Sequence, residues 1–110
     1  FMLQSLFGSE NRERVLSFLF ARQQGYPREI ARFYDTSLYG IQKQLDKLET
    51  GGILVSRMAG RTRIYEFNPR YPFLDELKNL LEKALSFYPQ DLQERLLMNR
   101  RRPRRRDKPL

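Results

Sequence analysis

The run Leu38-Tyr39-Gly40-Ile41-Gln42-Lys43-Gln44-Leu45-Asp46-Lys47-Leu48-Glu49-Thr50-Gly51-Gly52-Ile53-Leu54 decides the fold of this 110-residue chain. Leu38, Ile41, Leu45 and Leu48 fall at i, i+3, i+7 and i+10, the spacing that lines one face of an α-helix. The opposite face carries Tyr39, Gln42, Lys43, Asp46 and Lys47, so one side suits a core and the other suits water or a partner. Gly51-Gly52 ends the helix, because glycine enters left-handed backbone geometry at little steric cost. At 1.5 Å per residue such a rod is roughly 18 to 20 Å long.

Upstream, Asp35, Thr36 and Ser37 are capping residues, so one helix stops and the next restarts within a few positions. Before them Pro27 opens a short helix over roughly 27–33, with Ile30, Ala31 and Phe33 facing inward; proline suits a first helical position because its missing N–H would be unpaired there. An earlier helix is capped by Ser9, has Glu10 in its first turn, and carries Val15, Leu16, Leu19 and Phe20 at helical spacing to about Arg22. Phe1 to Phe7 has neither a basic leader nor a small-residue cleavage pattern and reads as a segment that packs, which fits a cytoplasmic protein.

Downstream, residues 53–58 and 62–67 are rich in β-branched and aromatic side chains on either side of Ala59-Gly60-Arg61, a β-hairpin pattern closed by Asn68-Pro69. Arg63, Tyr65 and Phe67 share its core face, with Arg63 near enough to the tip to reach solvent. A last long helix is expected from near Pro72 to about Tyr88. It carries Phe73, Leu74, Leu77, Leu80, Leu81, Ala84, Leu85 and Phe87, more apolar surface than one contact stripe needs, so part of it suits a second chain. This divides the chain into a domain over 1–88, a short amphipathic extension over 89–99 with Leu96 and Leu97, and a basic disordered tail over 100–110.

Composition narrows the chemistry. The chain has no Cys and no His, which removes disulfides, thiolate and imidazole catalysis and the usual zinc sites, so neither an enzyme nor a cofactor is expected. No apolar run is long enough to span a bilayer, and no membrane partner is expected. The net charge of +8 is unevenly placed: residues 100–110 hold seven basic residues against Asp107, which leaves 14 basic against 12 acidic residues for the body. Basicity of the fold must therefore be judged by position, not by total.

The order helix, helix, tight turn, helix, hairpin, helix implies a mainly α fold with a small β-hairpin (α+β). It is that of a winged helix-turn-helix with an extra C-terminal dimerisation helix. Such a fold reads double-stranded DNA by laying its second motif helix in the major groove. On that helix Gln42 can bond adenine bidentately, Lys43 can reach guanine or phosphate, Tyr39 can bond phosphate or stack, and Lys47 lies on the same polar face. Ser37 sits at the helix start, where the dipole favours a phosphate. Gly40 costs roughly 1 kcal/mol in a helix interior, so a close approach is expected there, to DNA or to the second helix. In the hairpin, Arg57, Arg61 and Arg63, with Thr62 beside them, suit the backbone or minor groove. Arg100, Arg101, Arg102, Arg104, Arg105 and Arg106 of the tail are a further candidate DNA contact.

Pro27-Arg28-Glu29-Ile30-Ala31-Arg32, then Gln44-Leu45-Asp46-Lys47-Leu48-Glu49-Thr50-Gly51-Gly52-Ile53-Leu54, then Arg61-Thr62-Arg63-Ile64-Tyr65-Glu66-Phe67-Asn68-Pro69 resemble the ArsR-type winged helix-turn-helix transcriptional regulators. Leu6-Phe7-Gly8-Ser9 is similar to the start of a subset associated with nucleotidyltransferase-like domains. The resemblance, over roughly residues 3 to 88, implies a dimeric DNA-binding repressor whose terminal helices pair; Phe73, Leu74, Leu77, Leu81 and Leu85 are its dimerisation candidates. It also raises an alternative, a protein-interaction module for a nucleotidyltransferase or toxin-like partner. The chain departs from the metal-sensing members in having no Cys or His.

Overall fold

The computed structural model describes residues 1–97, and the expected tail contacts at Arg100 to Arg106 lie outside the described residues. The element order is α1 (Gln4–Phe7), α2 (Glu10–Arg22), α3 (Pro27–Tyr34), α4 (Leu38–Thr50), β1 (Leu54–Ala59), β2 (Thr62–Phe67) and α5 (Leu74–Ser86), followed by α6 over residues 90–97. The fold is mainly α with one small antiparallel hairpin, as expected. No helix among the described residues is long and apolar enough to cross a membrane.

α2 is the axis of the domain. The Ser9 hydroxyl accepts from the Arg12 backbone N–H at 3.1 Å and so starts the helix. α1, α3, α4, α5 and β2 all pack on it. A helix enclosed on that many sides buries a wide arc instead of a stripe. Hence Val15, Leu16, Phe18 and Leu19 are all buried, whereas Phe20, expected in the stripe, is only half-buried and Phe18, left out of it, is fully covered.

Two turns then place α4. Glu29 Oε1 accepts from the Tyr26 N–H at 3.3 Å, which closes the N-terminus of α3 around Pro27. At its other end Asp35 takes φ 54°, and the Thr36 N–H bonds back to the Ala31 carbonyl at 3.0 Å, a Schellman closure. The chain re-enters a helix at Leu38. In α4, Ile41, Leu45 and Leu48 are buried as the stripe predicted. Leu38 is not: it is 39% exposed, because it occupies the first helical position, at the tip.

The hairpin pairs Leu54 with Phe67 and Ala59 with Thr62, and its two-residue turn puts Gly60 at φ 67°. Glycine in the first turn position matches the twist of right-handed strands. A third element joins it: Gly25 exchanges backbone hydrogen bonds with Tyr65 at 3.1 and 2.8 Å, tying the segment after α2 to the base of the wing.

α5 is shorter than expected at both ends. Its Leu81 and Ala84 are buried against the chain's own core, and Leu77 and Leu85 pack there partly. The boundary expected at residue 88 does not divide the packing, since Leu96 of α6 is fully buried in the same core. Arg22 donates to the carbonyls of Leu96 and Arg95 at 3.1 and 2.9 Å, and Arg95 donates to the Phe33 carbonyl at 2.8 Å. α6 is thus held against α2 and α3.

A buried polar knot joins the two ends of the domain. Glu13, fully buried, accepts from the Tyr88 hydroxyl at 2.6 Å and from the Leu3 N–H at 2.8 Å, and Ser17 meets the same tyrosine at 2.9 Å. Burial first, then the bond to Glu13, push the Tyr88 pKa well above the ordinary tyrosine value. Burial likewise raises that of Tyr34, whose covered hydroxyl has no hydrogen-bond partner among the described residues. Both protons are kept by the folded chain and lost by the unfolded one above about pH 10, so stability present below that pH falls as pH rises, by about 1.4 kcal/mol per unit for each retained proton. Tyr34→Phe removes one such proton and no hydrogen bond. Urea unfolding from pH 7 to 11 should show unchanged or slightly higher stability at pH 7 and a shallower alkaline decline; an identical decline counts against this account.

Candidate nucleic-acid interface

Ser37, Tyr39, Lys43 and Lys47 emerge on the side of α4 away from the core, and all four are exposed. Tyr39, 74% exposed, stands with the Lys43 ammonium 6.0 Å from its ring, so Tyr39, Lys43 and Lys47 form a ridge at i, i+4 and i+8. Ser37 is the N-cap in extended geometry, but its hydroxyl makes no cap bond. α4 is seated from behind by Gln44, whose Oε1 accepts from Arg12 Nε at 2.9 Å, while the same guanidinium donates to the Phe7 carbonyl.

Two of the expected contacts are placed differently. A Cβ on Gly40 would stand 2.5 Å from Asn11 Nδ2, so the close approach is to α2, and neither to the second motif helix nor to an open surface. Gln42 is half-buried between α4 and the wing. Its Nε2 donates to Asp46 Oδ1 at 3.0 Å and to the Tyr65 hydroxyl at 3.3 Å, which uses both amide protons. A bidentate adenine contact needs one of those protons, so Gln42 as it stands here is not set for it.

The wing arginines are exposed but do not form one cluster. Cross-strand register puts Arg63 on the face shared with Tyr65, Ser56 and Met58, and Arg57 on the opposite face with Thr62 and Ile64. Arg63 donates to Ser56 Oγ at 2.9 Å, and Ser56 donates to Glu49 of α4 at 2.7 Å, so Arg63 leans toward α4. Arg57 instead donates to Gln24 at 3.1 Å. Arg61 occupies the turn itself.

The expected dimerisation residues split as well. Phe73 is 61% exposed, Leu74, Leu77 and Leu85 are half-buried, and Leu81 is closed inside its own chain, unavailable to another. α5 turns its Leu77, Leu81 and Ala84 arc onto α2, which leaves a second arc outward. There Leu80, Lys83, Ala84 and Phe87 meet Met2 and Leu3 around an apolar groove of about 220 Å³. Phe87 and Met2, both lining this groove, are more than half exposed. The N-terminal half of this surface had no signal in the periodicity of the last helix.

No family model and no curated protein matches the chain. Solved structures do. Reduced HlyU from Vibrio cholerae superposes with a TM-score of 0.61 at 19% identity, covering 80% of this chain and 86% of that one. Mb0332 from Mycobacterium bovis, a homodimeric winged helix-turn-helix DNA-binding domain and a possible ArsR-family transcriptional regulator, gives 0.57 at 18%, covering 81% and 80%. The adhesin competence repressor AdcR from Streptococcus pyogenes gives 0.56 at 18%, covering 84% and 73%. At these identities the likeness is one of fold, and with the element order and hairpin register above it establishes that this chain is folded as a winged helix-turn-helix.

Proposed function

We propose that the chain is a sequence-specific double-stranded DNA-binding transcriptional regulator of the ArsR type, acting as a homodimeric repressor, with α4 in the major groove and the wing on the backbone or minor groove. The observation that carries this reading is the exposed Tyr39, Lys43 and Lys47 ridge on a helix whose other face is buried through Ile41, Leu45 and Leu48, beside a wing tipped by Arg61 and Arg63. The fold's presence in a DNA-binding domain of known homodimeric form supports it. Selection of bound duplexes from a random pool at fixed salt should enrich a palindrome with half-sites about one helical turn, 10 to 10.5 base pairs, apart. A pool without enrichment would sink the proposal.

The apolar surface of Met2, Leu3, Leu80 and Phe87 favours one second reading, a protein-interaction module of the antitoxin-like or nucleotidyltransferase-partner kind. A second copy satisfies the same surface by two-fold symmetry, which is the occupant we favour. In sedimentation the wild type should be a dimer at micromolar concentration and Phe87→Glu a folded monomer with weakened operator binding. A monomeric wild type would turn the choice toward the interaction module.

A further inference from the structure

The face of α4 that the proposed function turns toward DNA carries an anion, and phosphates repel anions. Asp46 is exposed and lies among Lys43, Lys47 and Gln42. A carboxylate accepts only, so the Gln42 atom bonded to Asp46 Oδ1 is the amide nitrogen, whose second proton goes to Tyr65. Tyr65 is itself fixed, 1% exposed and bonded through both its backbone groups to Gly25. What the pair retains for an outside partner is oxygen: among the described residues no donor reaches Gln42 Oε1 or the second oxygen of Asp46.

In the major groove, hydrogen-bond donors are the amino groups of cytosine and adenine. Adenine sets its amino group beside N7, an acceptor that a pair of oxygens opposes. Cytosine sets its amino group beside the O6 of the paired guanine, which an ammonium satisfies, and Lys43 precedes Asp46 by three residues on the same helical face. We propose that Asp46 is a specificity-determining residue that accepts from a cytosine amino group, with Lys43 on the partner guanine and Gln42 as the positioning residue that holds the carboxylate. The proposal rests on the DNA-binding reading above.

The test is selection from a random duplex pool at fixed salt with the wild type, Asp46→Ala and Gln42→Ala, followed by affinities for single-base variants of the wild-type motif. The wild type should prefer a G·C pair at one position of each half-site. Asp46→Ala should lose about tenfold or more of that preference, keep the other positions, and bind random duplex as well or better for the removal of a negative charge. Gln42→Ala should relax the same position and no other; a uniform loss across the motif would overturn its positioning role. An Asp46→Ala motif identical to the wild type at every position overturns the proposal for Asp46. A wild type that binds duplex with no preferred motif instead overturns the sequence-specific reading on which it rests.

Discussion

Gly25→Ala should lower the stability of the fold by about 1–3 kcal/mol, an overpacking effect. Its added Cβ would lie 2.7 Å from Cε1 of the Phe18 ring and 3.3 Å from Glu29 Oε1. Neither neighbour retreats cheaply. Phe18 is fully buried, packed edge-on against Phe33 at 5.5 Å and covered by the Arg22 guanidinium at 4.8 Å, and Glu29 is holding the start of α3. A shift of the Gly25 backbone would strain its two hydrogen bonds to Tyr65, so damage would spread to the wing. Urea titration of Gly25→Ala measures the loss, and adding Phe18→Leu should recover part of it, because a smaller side chain vacates the space. Equal midpoints for wild type and Gly25→Ala would show the contact to be soft.

Removing both tip arginines, Arg61→Ala with Arg63→Ala, should weaken binding to every duplex by about tenfold or more at moderate salt. The slope of log affinity against log salt should fall by about two, close to 0.9 for each phosphate left without its arginine. The fold should be almost untouched, since the hydrogen bond removed between Arg63 and Ser56 is exposed. The pattern separates this pair from the base contacts proposed for α4: discrimination between motif and random duplex should survive while both affinities drop. A slope that does not change would remove the wing from the backbone.

The parts of the fold legible in the sequence were those set by local chemistry. Ser9 and Pro27 marked helix starts, Gly60 a hairpin turn, and Ile41, Leu45 and Leu48 a buried stripe, each through a constraint reaching only a few residues along the chain. What escaped depended on neighbours distant in sequence. Phe18 is buried because five other elements enclose α2. Gly25 is a glycine because a ring seven residues earlier occupies the space a side chain would need, and its pairing with Tyr65 spans forty residues. Leu81, a dimerisation candidate in the sequence, is closed inside its own chain because of how α5 is rotated on α2, which no local pattern reports.

The candidate interface divides in the same way. The polar ridge of α4 was legible because everything on the face opposite a buried stripe must be outside. The engagement of Gln42 was not, since it depends on a hydroxyl in β2 that comes within 3.3 Å only once the wing has folded back. Asp46 looked like a solvated charge between lysines; its bond to Gln42 is what gives it a direction.

The clamp of Arg22 on the carbonyls of Arg95 and Leu96 fixes where the chain departs from the described fold, beside Phe33 in the last turn of α3. α6 therefore cannot lift from the domain without stripping the Arg22 guanidinium from both carbonyls, releasing the end of α3 at Phe33 and wetting Leu96, so the last described helix unfolds with the core and not ahead of it.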